Sequence, residues 1–143
     1  MKTKKFLIYG ILGWTLEIIW TSAWNALNGD LKLTGTTYGW MFIIYGLAIY
    51  LEKIHEQIRK LPWYERGIIW TIIIYTIEYI SGWILRAVLG ICPWDYTGQT
   101  LSINGLIRLD FAPAWFAAGL IFEQAHDIIS NIFVYYENSI RNK

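Results

Sequence analysis

Four long apolar stretches constrain this 143-residue chain more than any other feature. A helix needs about 20 mostly apolar residues to cross a bilayer core. The first stretch runs over 6–27 and ends at Asn28-Gly29-Asp30. The second, over 38–54, is the weakest, because its clean apolar run stops at Leu51. The third covers 67–89. The fourth, over 111–136, is interrupted by Glu123-Gln124-Ala125-His126-Asp127. The expected fold is an all-α membrane protein, a single integral membrane domain over 1–143 built as a four-transmembrane-helix bundle. Charged residues make up 16% of the chain, against about 25% in soluble domains. Nine Trp and ten Tyr suit the boundary between hydrocarbon and water.

Lys2, Lys4 and Lys5 precede the first stretch as they would in a secretion signal. Glu17 at its middle, three Trp and its length point instead to a retained helix. Lys and Arg near helix ends set orientation. With the N-terminus inside, the inner side holds Lys2, Lys4, Lys5, Lys53, Arg59, Lys60, Arg66, Arg141 and Lys143. The outer side holds Lys32, Arg86 and Arg108. Nine against three predicts a multi-pass protein of the cell membrane with both termini in the cytoplasm. The outer segment, 90–110, alternates apolar and polar residues around Asn104-Gly105, which predicts a hairpin or interfacial plug between helices three and four, over the mouth of a cavity.

Two carboxylates stand out. Glu17 and Glu78 each lie mid-helix among apolar residues, where a charge costs at least about 2.5 kcal/mol and calls for an inward face and a partner. Gly10, Gly13, Trp14, Glu17, Thr21 and Trp24 share one helical face, and so do Thr71, Tyr75, Glu78, Gly82 and Arg86. Two readings are open. The acids bind a small cationic solute or exchange protons in an aromatic cavity lined by Trp14, Tyr45, Tyr75 and Trp83, or they tie helices together. Arg86, Asp95 and Arg108 are candidates for gating or structural ion pairs, with Asp95 partnering Arg108 or Arg86.

Glu52-x-x-His55 and Glu123-x-x-His126, with Glu17 and Glu78, fit the formula of a di-metal carboxylate bundle. Depth disfavours it, since Glu52 and Glu78 would lie roughly 10 Å apart along the axis. No metal or other cofactor is therefore expected, and a non-enzymatic role is favoured over a membrane di-metal enzyme. The same Glu-x-x-His pair hints at an internal repeat, as does Gly13-Trp14-Thr15-Leu16-Glu17 against Gly82-Trp83-Ile84-Leu85-Arg86, which would make Glu17 and Arg86 equivalent. Cys92 is the one cysteine, so an intrachain disulfide is excluded. A net charge of +1 with no basic stripe argues against nucleic acid. No phosphate-binding glycine loop is present.

Gly13-Trp14-x-x-Glu17, Tyr45-Gly46, Glu78-Tyr79, Trp94-Asp95-Tyr96 and Asn104-Gly105 with Leu109 together resemble the ABC-transporter type IV permease-like (CmpB-like) family of small bacterial membrane proteins, from about Phe6 to Phe122. The resemblance implies a permease-like component of the bacterial inner membrane and marks Glu17 and Glu78. Gly39-Trp40 and Ile43-Ile44-Tyr45-Gly46 stand where relatives tend to carry Gly-Pro and Pro-Ile-Tyr-Gly. Arg86 replaces a frequent Glu, and Leu106 a frequent Arg, so the cavity charge differs. The expected partners are the lipid bilayer and either further copies or another membrane subunit, because four short helices enclose little volume.

Overall fold

The computed structural model describes residues 2–141, with the side chains of Glu137 and Arg141 left aside. Lys143, counted above among the inner charges, lies outside the described residues, as does the side chain of Arg141. Helices dominate: α1 (Lys2–Leu27), α2 (Gly39–Gly46), α3 (Glu52–Ile58), α4 (Trp63–Leu89) and α5 (Ala112–Arg141). A 3-10 turn over Leu47–Tyr50 follows α2, and another over Leu109–Phe111 precedes α5. Strands β1 (Ser102–Ile103) and β2 (Ile107–Arg108) form a small antiparallel pair. The chain divides into two compact units, Met1–Ile54 and His55–Lys143.

In the first unit, α1 ends where Gly29 takes a left-handed conformation, which a residue without Cβ adopts freely. Asp30 then fastens the turn by accepting from the backbone N–H of Lys32 (2.9 Å) and Thr34 (3.1 Å). From there the chain turns through left-handed Leu33 and runs back along α1 as irregular backbone. Side chains of α1 satisfy its carbonyls in succession. Ser22 Oγ donates to Leu33 O (2.7 Å), Asn25 Nδ2 to Thr34 O (2.8 Å), Thr21 Oγ1 to Thr36 O (2.9 Å) and Trp14 Nε1 to Tyr38 O (3.0 Å). The second expected span therefore differs from a helix over 38–54. The fold-back takes residues 33–38, the apolar helical stretch is Gly39–Tyr50, and helix resumes separately as α3.

Small residues set the packing of α2 on α1. Phe42 lies over Gly10 and Tyr45 over Gly13, positions a Cβ would fill. Such contacts let helix backbones approach closely.

In the second unit, α4 opens after Pro62, whose carbonyl accepts from Glu65 and Arg66, and closes at left-handed Gly90 with Gly90 N–H bonded to Arg86 O (3.1 Å). The hairpin expected around Asn104-Gly105 is present. Both residues have positive φ, Leu106 N–H closes the turn on Ile103 O (3.0 Å), and Ile103 pairs with Ile107. The hairpin folds back along α4 and seats Leu106, 1% exposed, against Gly82. α5 is continuous through the charged run at 123–127, and Trp70 of α4 packs against Gly119.

α1 and α4 are each long and apolar enough to cross a membrane. Only 17% of the apolar window of either is buried inside the protein, whereas the core helix of a soluble domain is mostly covered. Leu7, Ile11, Leu16, Ile19 and Trp20 on α1 and Ile68, Ile72, Ile80, Trp83 and Val88 on α4 are all exposed. A surface this apolar marks a region that packs against something other than water and is compatible with a membrane protein.

Replacing Gly119 by Val should overpack the Trp70 contact and lower stability by about 1–3 kcal/mol, read as an earlier unfolding midpoint in detergent. Gly39→Ala, with no neighbour within 4 Å of the added methyl, should leave the midpoint unchanged.

Candidate functional site

The two mid-helix acids occupy comparable surroundings. In the first unit, half-buried Glu17 accepts a hydrogen bond from Thr37 Oγ1 (2.7 Å), delivered by the fold-back segment. Tyr45, above Gly13, contributes a second hydroxyl. In the second unit, half-buried Glu78 accepts from Tyr96 Oη (3.1 Å), delivered by the segment over 90–110. Its Oε2 is buried with no hydrogen bond, and the Trp115 indole lies nearby without closing one. Among the described residues no Lys, Arg or His forms an ion pair with either acid.

The remaining cavity candidates are divided in role. Trp14 and Tyr75 use their polar atoms on backbone: Trp14 on Tyr38 O, and Tyr75 Oη on Arg108 O (2.9 Å) and Leu109 O (3.0 Å). Trp83 is 59% exposed. An open apolar groove of about 460 Å³ in the second unit is lined by Ile68, Thr71, Ile72, Tyr75, Ala112, Pro113 and Phe116. It includes Tyr75 but neither Glu78 nor Trp83.

In the 90–110 segment the direct contacts of Asp95 and Arg108 are local, while Arg86 still acts on Asp95 through its charge. Asp95 accepts from Thr97 N–H (2.9 Å) and Oγ1 (2.6 Å), which holds its carboxyl below the usual range. Arg108 pairs with Asp110, two residues away, and lies 4.4 Å over the Phe111 ring. Arg86 donates to Asn104 O (2.9 Å) and so ties α4 to the hairpin tip. Neighbours in sequence reach Asp95 and Arg108 before the more distant partners do.

A second locus gathers charged and imidazole side chains in the second unit. Glu123, 2% exposed, accepts from Arg66 Nε (3.1 and 3.0 Å) and Trp70 Nε1 (2.9 Å). His55 and His126, 2% and 5% exposed, lie with ring centroids 5.1 Å apart. His55 Nδ1 is 3.4 Å from Glu123 Oε1. Asp127 and Glu56 complete the group and share Arg59. Of the di-metal set, His55, Glu123 and His126 thus come together. The other acids do not join them. Glu52 is held by Lys5 Nζ (3.0 Å) and Tyr9 Oη (2.8 Å) in the first unit. Glu78 lies eight residues beyond Trp70 on α4, about 12 Å along the axis from the residue that binds Glu123. Glu56 and Asp127 were missed as a pair because each is merely the residue after a His, and only folding brings the two His-acid dipeptides face to face.

The hydrogen bonds of the two units repeat. Lys5–Glu52, Tyr9–Glu52, Trp14–Tyr38 O and Glu17–Thr37 have counterparts in Arg66–Glu123, Trp70–Glu123, Tyr75–Leu109 O and Glu78–Tyr96. All four helix positions recur after 61 residues, and Glu52, Tyr38, His55 and Glu56 recur after 71. The equivalent of Glu17 is therefore Glu78, not Arg86. The match of Gly13-Trp14 to Gly82-Trp83 pairs letters rather than roles.

Residues 4–142 match the family model described as "Putative ABC-transporter type IV". The chain belongs to this family. Membership in the type IV family accounts for nearly the whole chain and names it as an ABC-transporter-related membrane component. No solved structure matches the chain.

Arg66 is the charge that balances a carboxylate with 3% of its side chain exposed. Arg66→Ala should cost about 3–5 kcal/mol, because removing one member of a buried pair strands the other. Arg66→Met combined with Glu123→Leu should restore only part of it, because the buried Trp70 indole N–H then loses its acceptor, as measured by thermal unfolding in detergent.

Proposed function

We propose that the protein is a permease-like transport component in which Glu17 and Glu78 bind a small organic cation or exchange protons. The observation that carries this reading is that each mid-helix carboxylate is met by neutral groups alone among the described residues, hydroxyls at Glu17 and a hydroxyl with a nearby indole at Glu78. An ionisable group so placed marks a solute or proton pathway by default. Trp and Tyr around the acids favour a cation. The repeated bonding pattern fits the internal repeats common in transporters.

The proposed setting is a bacterial cytoplasmic membrane crossed four times, with both termini inside and the segment over 90–110 as an outer plug. α2 and its 3-10 turn are too short to cross alone, at about 18 Å. The fold-back over 34–38 adds at most about 17 Å. Irregular backbone at that depth is tolerated when protein covers it, and the side chains of α1 do so. Further copies of the chain, or another membrane subunit, would complete the pathway. These 143 residues contain no phosphate-binding glycine loop, so nucleotide hydrolysis would lie outside them.

In proteoliposomes loaded with a pH-sensitive dye, tetraphenylphosphonium or ethidium should drive counterflow of protons through the wild-type protein. Glu17→Gln and Glu78→Gln should abolish it while retaining helical circular dichroism. Wild-type flux in both variants, or none in the wild type with either cation, overturns the reading.

Orientation has its own test. Cys92 is the one thiol and belongs to the outer segment. A membrane-impermeant maleimide should label it in intact cells, whereas Lys60→Cys on a Cys92→Ser background should react only after permeabilisation. Burial pushes the Cys92 thiol above its ordinary value. The thiolate is the nucleophile, so labelling should accelerate as pH rises through the alkaline range.

A further inference from the structure

We infer that His55, Glu56, His126 and Asp127 form a mononuclear site for a divalent transition metal of the zinc class. The four offer one ligand atom each, all within 4.8 Å of one another. The contacts are reciprocal. His55 Nε2 lies 3.4 Å from Asp127 Oδ1, and His126 Nε2 lies 3.3 Å from Glu56 Oε1. These are long for charge-assisted hydrogen bonds, which run about 2.7–2.9 Å. These two pairs match the edge of a tetrahedron around Zn2+, where bonds of about 2.0–2.1 Å separate neighbouring ligand atoms by about 3.3 Å, and the wider pairs, up to 4.8 Å, close on binding. Two neutral imidazoles and two carboxylates also leave a zinc ion with no net charge.

An independent observation points to a ligand. His55 is 2% exposed, yet its Nδ1 has no hydrogen-bond partner. A ligating histidine nearly always donates its second ring nitrogen to a carboxylate or carbonyl, which fixes the tautomer. Glu123 Oε1 waits 3.4 Å from Nδ1, itself anchored by Arg66 and Trp70. With metal on Nε2, the proton must sit on Nδ1, facing Glu123, and a shift of a few tenths of an ångström closes the bond. Glu123 is thus a positioning residue for the site.

Arg59 is the competitor. Its guanidinium donates to the Oε1 of Glu56 (3.0 Å) and the Oδ1 of Asp127 (2.6 Å) that face the imidazoles. Metal and guanidinium are two positive charges drawn to the same oxygens, so the arginine weakens the hold of the carboxylates on a metal ion. Its side chain is 45% exposed, which leaves it free to swing into water.

The test uses the full chain in mild detergent, stripped with chelator and titrated with Co2+ and then Zn2+. One Co2+ per chain, with the visible bands of tetrahedral coordination and displacement by Zn2+, is expected. His126→Ala should abolish binding. Asp127→Asn and Glu56→Gln, which alter partly exposed side chains and should fold, should each weaken it at least tenfold. Arg59→Gln should tighten it several-fold, an effect that a purely structural ion-pair network does not produce. Absence of stoichiometric Co2+ in the wild type at 100-fold excess overturns the inference, as does binding unchanged in Asp127→Asn, Glu56→Gln and Arg59→Gln.

Discussion

The backbone of two irregular segments must find hydrogen-bond partners beside helices whose outer faces are apolar, and the rest of the structure is arranged around that need. An unpaired carbonyl next to hydrocarbon costs several kcal/mol. In the first unit Ser22, Asn25, Thr21 and Trp14 answer it from α1. In the second unit Tyr75 and Arg86 answer it from α4, with Trp94 of the 90–110 segment donating to Leu106 O. The polar stripes on the long helices exist to hold chain that is neither helix nor extended sheet. Each mid-helix acid lies on such a stripe and takes its hydroxyl partner from the segment being held.

The two units use one bonding scheme with different side chains. A cation and an aromatic donor near the start of the first long helix clamp a glutamate further along the chain. An aromatic donor two turns on secures a carbonyl, and a carboxylate one turn beyond receives a hydroxyl. Lys5 becomes Arg66 and Tyr9 becomes Trp70, so chemistry is retained while volume changes. The ten extra residues in the second unit fall between the long helix and the carbonyl it secures, which is where the hairpin and its flanking turns are accommodated. One scaffold is thereby finished in two ways.

Much of this was legible in the sequence. The faces shared by Gly10, Gly13, Trp14, Glu17 and Thr21, and by Tyr75, Glu78, Gly82 and Arg86, follow from helical periodicity. Those faces do carry the internal contacts, with Trp24, 46% exposed, less enclosed than its neighbours. The Asn104-Gly105 turn was legible because few dipeptides tolerate two positive φ values. The stop of the second apolar run at Leu51 does mark where that helical stretch ends, but the fold-back before it was not legible, since composition reports affinity for oil and says nothing about the path of residues 33–38. The partners of Asp95 and Arg108 were misjudged because opposite charges far apart in sequence were preferred to a threonine and an aspartate two residues away. The Glu-x-x-His spacing flagged the right histidines, but it drew in Glu52, which Lys5 and Tyr9 already hold.

Fastening the first fold-back by side chains instead of a strand ladder shapes how it comes loose. Each rung from Asn25 to Trp14 is an individual bond to a helix that keeps its own backbone pairing whether or not the rung is made. The segment can peel from its Leu33 end one contact at a time, with α1 standing intact beside it. Thr37 lies beside the last rung, so opening from that end reaches the bond to Glu17 only after those of Leu33, Thr34 and Thr36 have let go, a graded local opening.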